Sequence, residues 1–148
     1  MTGPHKTHLS RLLTRSFRAD REAPGRARSS LAAVADHIDD EIAEDIRLLV
    51  SELVTNSLRH TGTSTIRLEV WGSDAVVQVQ VYDDGTGFDP PDTPRPRAAS
   101  GWGLFMVARL ADRWGVETRG DTRVWFEFLR PGAGGRSERE FFERSPAQ

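Results

Sequence analysis

The chain has 148 residues, 37% of them hydrophobic, and 20 Lys+Arg against 22 Asp+Glu leave a formal charge of −2. That length suits one domain with a real core and leaves no room for a second, and the interspersed charges exclude a nucleic-acid or polyanion footprint. The absence of cysteine excludes disulfides, thiolate zinc sites and cysteine nucleophiles and fits a cytoplasmic setting, while the lack of an apolar run near the roughly 18 residues of a membrane span predicts a soluble protein with no membrane association.

Lys6 is the only lysine. A Walker loop needs a lysine after its glycines and a eukaryotic-type protein kinase needs one on an early strand, and Lys6 serves neither. Residues 1–10 read as a disordered tail, with His5 and His8 as tail residues rather than ligands. Leu12 to Phe17 reads as a short edge strand. Asp20 to Gly25 carries turn chemistry, and Pro24 suits the first turn of a helix that the spacing of Ala27, Leu31 and Val34 extends to His37.

Asp39, Asp40 and Glu41 crowd acid at the start of the next helix, where the macrodipole favours it, and Gly62 stands where its C-cap belongs. Ile46, Leu49, Val50 and Leu53 form its buried stripe. Glu52, Asn56 and His60 recur at one-turn spacing and climb one side beside the core. Asparagine is a poor helix-interior residue, and nothing at Asn56 resembles a cap. A carboxylate one turn from a neutral amide can pair a general base with an oxygen ligand for a hard cation. The competing reading is a solvated face on which Glu52 and Arg59 are ordinary surface charges.

Thr65 to Trp71 alternates as a strand, Gly72-Ser73-Asp74 turns, and Ala75 to Asp83 is the partner strand. Its Val77, Val79 and Val81 share a face, and the period of two puts Asp83 on that face as well. A carboxylate there must find a donor. Asp84-Gly85-Thr86-Gly87 follows, with glycines that permit a sharp turn and close approach of a ligand. Asp-Gly alone also suits a hairpin, but no strand follows; a calcium loop would need alternating acids and a closing glutamate, and neither is present. Phe88 to Ser100 is a long proline-rich connection bearing Arg95 and Arg97, of the kind that is functional or mobile.

Ser100-Gly101-Trp102-Gly103-Leu104 opens a helix that the spacing of Leu104, Val107, Leu110 and Ala111 carries to Trp114. Bare amides at such a helix start suit phosphate, although Gly-x-Gly alone is a weak signal. Val116 to Thr118 and Thr122 to Phe128 read as strands about a Gly120-Asp121 turn, and residues 131–148 as a flexible, charged tail. Over residues 11–130 this order suits a two-layer α/β sandwich, its mixed, mainly antiparallel sheet covered on one face by three helices.

Glu52-x-x-x-Asn56 on a helix, Asp83-x-Gly85-x-Gly87 after a strand and Gly101-x-Gly103-Leu104 opening a helix resemble the Bergerat-fold ATPase superfamily of gyrase, heat-shock chaperones, histidine kinases and MutL. The run from Glu52 to His60 and the run from Gly101 to Val116 look most like the anti-sigma-factor serine kinases and their single-domain actinobacterial relatives. The resemblance implies ATP and Mg²⁺ as ligands. Asn56 would hold Mg²⁺ against the phosphates, Glu52 would be the general base, and Asp83 would accept the adenine amino hydrogen. Gly85 and Gly87 would admit the base and ribose, and Ser100, Gly101, Trp102, Gly103 and the Leu104 amide would line the phosphate cradle, with the Phe88–Ser100 connection as ATP lid. Thr122 resembles a last-strand threonine near adenine, although relatives often place it one position later, where Arg123 stands. Either Arg59 or His60 would touch phosphate.

The expected function is that of a serine/threonine protein kinase that phosphorylates an anti-anti-sigma partner and sequesters a sigma factor, with a homodimer admitted as the assembly. The alternatives are a catalytically silent ATP-binding module that acts by partner capture, and a histidine-kinase-like ATPase domain. The last would need a phospho-accepting helical hairpin, and the residues before Asp39 are largely consumed by the fold's first strand and helix.

Overall fold

The computed structural model describes residues 8–60, 62–85, 102–118 and 120–131. In chain order these form strand β1 (Ser10–Arg18), helix α1 (Ala23–Ser30) continued by a 3-10 segment (Leu31–His37), helix α2 (Asp40–His60), strands β2 (Thr65–Gly72) and β3 (Val76–Asp83), helix α3 (Trp102–Leu110), and strands β4 (Arg113–Glu117) and β5 (Thr122–Leu129). Most of the expected tails at 1–10 and 131–148 and the lid at 88–100 lie outside the described residues, but Ser10, placed in the first tail, already belongs to β1.

The five strands form one sheet in the order β1-β2-β3-β5-β4. Each of its pairings is antiparallel, so the sheet has no parallel component among the described strands. Register puts Ile66, Leu68 and Val70 of β2, Val77, Val79 and Val81 of β3, and Val124, Phe126 and Phe128 of β5 on one face. All are buried there with Ala23 and Ala27 of α1, Leu31 and Val34 of the 3-10 segment, the stripe of α2, and Leu104 and Val107 of α3. The helices therefore cover one side of the sheet, and the molecule is the expected two-layer sandwich.

Helix α2 is the spine of that layer. Its apolar positions Ile42, Ile46, Leu49, Val50, Leu53 and Val54 recur at helical spacing, and each is at most 2% exposed. Asp40 and Glu41 sit in its first turn, opposite in sign to the positive helix end. Gly62, with φ of +63°, takes the left-handed conformation that suits a residue ending a helix.

Several boundaries differ from the sequence reading: β1 runs Ser10–Arg18 rather than 12–17, β4 runs Arg113–Glu117 rather than 116–118, and two helix ends move. The first helix does not run regularly to His37: the chain tightens into the 3-10 segment at Leu31, and Val34 leaves helical geometry at φ −122°, ψ 20°. A β-branched side chain gives up little by leaving the α region, and this kink buries Val34 in the core. The last helix does not reach Trp114. It ends at Leu110, and Trp114 lies in β4 opposite Phe126. Asp112 makes the corner, its amide donating to the Glu127 carbonyl and its Oδ2 accepting from the Leu129 amide at 2.7 Å. Pairing with β5 outweighed the helical spacing of Leu110, Ala111 and Trp114.

Among the described residues no helix lies over the opposite face of the sheet, yet Glu69, Gln78, Gln80 and Glu127 are buried there. Long neighbours lie across them and meet most of their polar atoms, although Glu127 Oε1 has no hydrogen-bond partner among the described residues and only the Arg113 guanidinium, at 3.6 Å, beside it. The Glu69 carboxylate accepts from Arg67 Nε and Trp71 Nε1, both at 3.0 Å. Gln78 donates to Glu127 at 2.7 Å, Gln80 donates to Gln78, and Tyr82 Oη donates to Gln80. The Arg67 guanidinium lies 3.9 Å from the Tyr82 ring centroid. This is a ladder of polar groups in place of a second apolar layer.

Phe126 is fully buried in the central stack, edge-on to Phe128 with ring centroids 5.8 Å apart. Phe126→Ala leaves a cavity beneath α2 and is expected to cost about 3–5 kcal/mol. Urea unfolding followed by circular dichroism checks this, and an unchanged midpoint would remove Phe126 from the centre of the core.

Candidate nucleotide-binding site

Asp83 is the last residue of β3, on the helix-covered face and only 5% exposed. A carboxylate so placed needs donors. Ser57 of α2 donates its hydroxyl to Oδ2 at 2.9 Å, and the Gly85 amide donates to Oδ1 at 3.1 Å. The carboxylate thus closes the turn that follows β3 while binding the sheet to α2. Its charge-assisted hydrogen bonds hold one orientation.

Ser57 was not among the expected site residues, although the sequence holds its signal. It falls on the same stripe as Val50, Leu53 and Val54, and a hydroxyl among those positions must have a partner. Asn56 and Glu52, beside the stripe, are half-buried, whereas Arg59 is exposed. His60 is the last residue of α2. Ser57 follows Asn56 directly, so the face carrying the candidate general base and cation ligand is fixed relative to Asp83 by a single residue step.

Across the sheet, Asp83 pairs with Thr122, the first residue of β5. Thr122 is 1% exposed, and its Oγ1 has no hydrogen-bond partner among the described residues. A buried hydroxyl left unpaired costs free energy unless something else reaches it. Beside a fixed carboxylate, it leaves a donor and an acceptor for a flat heterocycle that carries both functions at its edge.

Helix α3 supplies the other flank. Gly103, in its first turn, is buried against α2, where an added Cβ would stand 3.4 Å from the Glu52 carbonyl oxygen and 3.5 Å from Leu53 Cδ2. The start of α3 thus lies in van der Waals contact with the turn of α2 that carries Glu52. The Leu104 side chain is 2% exposed and belongs to the core. Trp102 opens the helix, while Gly87, Ser100 and Gly101 lie outside the described residues. Asp83, Gly85 and Thr122 are gathered at one end of the sheet, and Glu52 lies with Gly103 where α3 meets α2.

Asp84, exposed just beyond the strand, was read only as part of a turn, yet it ties that turn to the segment after α2. Its Oδ1 accepts from the Thr63 hydroxyl and, at 2.9 Å, from the Ser64 amide; its Oδ2 accepts from the Ser64 hydroxyl, also at 2.9 Å. The Asp84 amide donates back to Thr63 Oγ1 at 3.0 Å. The Thr63 hydroxyl, then the Ser64 amide and the Ser64 hydroxyl, hold this carboxyl far below the usual carboxylate range.

A two-layer sandwich with a fixed carboxylate and an orphan hydroxyl at one sheet end, and a glycine-bearing helix start beside an acid-and-amide helix face, defines a nucleotide-binding ATPase domain. Residues 17–128 match the family model described as histidine kinase-like ATPase domain, and the chain belongs to that family. It is similar to the sensor histidine kinase GraS of Staphylococcus epidermidis, 28% identical over 91 residues that make up 53% of this chain and 26% of that protein. It is also similar to the sensor protein BceS of Bacillus subtilis, 27% identical over 82 residues, 47% of this chain and 25% of BceS. The match thus spans about a quarter of each relative. The family implies ATP as ligand, typically with Mg²⁺, and the donors fit: Asn56 offers one hard oxygen of the kind Mg²⁺ takes alongside phosphate oxygens. Among the described residues no helix is long and apolar enough to cross a membrane.

The Asp84 carboxyl has its pKa lowered on folding, so the stability it contributes is present above the unfolded value of about 3.9 and fades as pH falls below it. Asp84→Asn should therefore show a shallower fall in melting temperature than the parent on acidification through that range. Solvent around the exposed carboxylate keeps the difference modest. Parallel melting curves for the two proteins would show that the carboxylate is not tied in solution.

Proposed function

We propose that this chain is a Mg·ATP-dependent protein kinase that transfers the γ-phosphoryl group to a serine or threonine of a small anti-anti-sigma-like partner and sequesters a sigma factor. The observation that carries the reading is the link between Asp83 and α2. Ser57 fixes the carboxylate that would receive the adenine amino group, and the same helix presents Asn56 and Glu52 beside it. Thr122 Oγ1, buried and without a partner among the described residues, gives the base edge a second polar group. Asn56 would contribute an oxygen to Mg²⁺, whose charge would draw the phosphates together. Glu52 would take the proton of the partner's hydroxyl as its oxygen bonds to the γ-phosphorus and the bond to the β,γ-bridging oxygen breaks, releasing ADP.

Among the described residues, the elements before α2 are committed to the fold. β1 pairs along β2, and α1 and the 3-10 segment bury Ala23, Ala27, Leu31 and Val34 in the core. None of them is a free helical hairpin. Labelled ATP separates the readings: label on the partner supports the serine/threonine kinase, and bound ATP without label leaves a partner-capture module. Acid-labile phosphate on His5, His8, His37 or His60 would favour the histidine-kinase alternative.

Asp83→Asn should weaken ATP binding by about 10- to 100-fold, because the site loses a charge-assisted acceptor and gains a donor facing the adenine amino group. Titration calorimetry measures it, and parental affinity would sink the adenine assignment. Asn56→Ala should weaken Mg·ATP binding, whereas Glu52→Ala should bind ATP and lose about 10²- to 10⁴-fold in transfer rate. Transfer at the parental rate by the Glu52→Ala protein would show Glu52 to be an ordinary helix-face carboxylate.

A further inference from the structure

The carboxylate of Asp83 is held from two directions. Ser57 reaches it from α2, and the Gly85 amide reaches it from the chain leaving β3. The second contact depends on where that chain goes after the strand ends, and Asp84 is the residue that decides this. It lies past the final pair of the β2–β3 ladder, Ile66 with Asp83, so no ladder hydrogen bond fixes it. Its side chain does so instead, through the Thr63 hydroxyl and the amide and hydroxyl of Ser64, while its own amide donates to Thr63 Oγ1.

Those partners are themselves anchored. The Ser64 carbonyl accepts from the Ala19 amide at 3.0 Å, which joins the segment to the end of β1. Thr63 Oγ1 also lies 2.8 Å from the Thr65 carbonyl at the start of β2. The connections form a closed ring: α2 through Ser57 to Asp83, along the backbone to Asp84, across to Thr63 and Ser64, and back along the chain to α2. Removing Asp84 opens that ring on the side away from the core, next to the Gly85 amide.

We propose that Asp84 is a positioning residue for adenine selection: it holds the Asp83–Gly85 turn so that the Asp83 carboxylate keeps the single orientation in which it would receive the base. The proposal rests on the reading of Asp83 as the adenine acceptor. It assigns to Asp84 no contact with nucleotide. Geometry is what the site requires of this residue, so asparagine should serve nearly as well as aspartate. Its Oδ1 can accept from Thr63 and the Ser64 amide, and its Nδ2 can donate to a rotated Ser64 hydroxyl. Alanine can do neither.

The test is to titrate the full chain with Mg·ATP and with Mg·GTP, comparing the parent with Asp84→Ala, Asp84→Asn and Thr63→Val, and to record each melting temperature. Asp84→Ala should lose about 10-fold in ATP affinity with little change for GTP, and so lose preference for adenine; Asp84→Asn should stay within about threefold of the parent. Thr63→Val should shift the preference in the same direction as Asp84→Ala by a smaller factor. In the ligand-free protein the Gly85 amide should exchange faster in Asp84→Ala than in Asp84→Asn, which gives a readout even where nucleotide binding is lost. An Asp84→Ala protein with a lower melting temperature but an unchanged ATP-to-GTP ratio and Gly85 exchange rate would overturn the proposal and leave Asp84 a purely structural tie. A parent that binds neither nucleotide would overturn the adenine reading itself, and this inference with it.

Discussion

A carboxylate at the buried end of a central strand is the constraint on which the site depends. Water cannot reach Asp83 freely, so the fold must provide its donors, and two of them come from different parts of the chain. One is a hydroxyl on the longest helix; the other is the Gly85 amide, two residues past the end of the strand. Satisfying one charged group therefore fixes the angle at which α2 crosses the sheet end and the path of the chain beyond β3. The candidate catalytic face of α2 inherits its position from that arrangement. Its side chains lie on the turns just before Ser57, and a helix transmits position along its length with little slack.

The approach of α3 to α2 is the complementary constraint. At Gly103 the start of the third helix rests against the backbone beside Glu52, so the helix start expected to face phosphate and the helix bearing the candidate base form one packed unit. A sheet covered on one side only would ordinarily leave half its strands' side chains in water. Here the uncovered side supports itself through Glu69, Gln78, Gln80 and Glu127, each reached by a neighbouring side chain. That lets β3 be buried on both faces while the site remains at its end.

Much of this was legible in the sequence, for reasons particular to each element. The alternation through β2, β3 and β5 and the stripe of α2 follow from burial on one side, and both periods are strong enough to read directly. The need for a partner at Asp83 was also readable, because extending the period of Val77, Val79 and Val81 carried the acid inward. The partner itself was not. Ser57 lies on α2 while Asp83 ends β3, and only the packing of helix on sheet brings them together. The length of the last helix was misread because Leu110, Ala111 and Trp114 keep helical spacing, whereas the strand that captures Trp114 comes from β5 pairing, which local spacing does not encode. The Asp84 tie escaped for a similar reason: its partners, Thr63 and Ser64, face it only once β2 and β3 are in register. The expected contacts of Gly87, Ser100 and Gly101 lie outside the described residues.

Among the described strands the sheet ends on one side in β1, nine residues long, with no described strand along its outer edge. Such an edge is a template on which another chain can add a strand. Two features spoil it. The register with β2 slips between Arg11 and Leu13, which breaks the regular row of amides and carbonyls. Arg11, Arg15 and Arg18 then crowd positive charge along the exposed strand. A second copy lying edge to edge along β1 would set arginine against arginine beside a broken ladder, which disfavours strand addition at that edge.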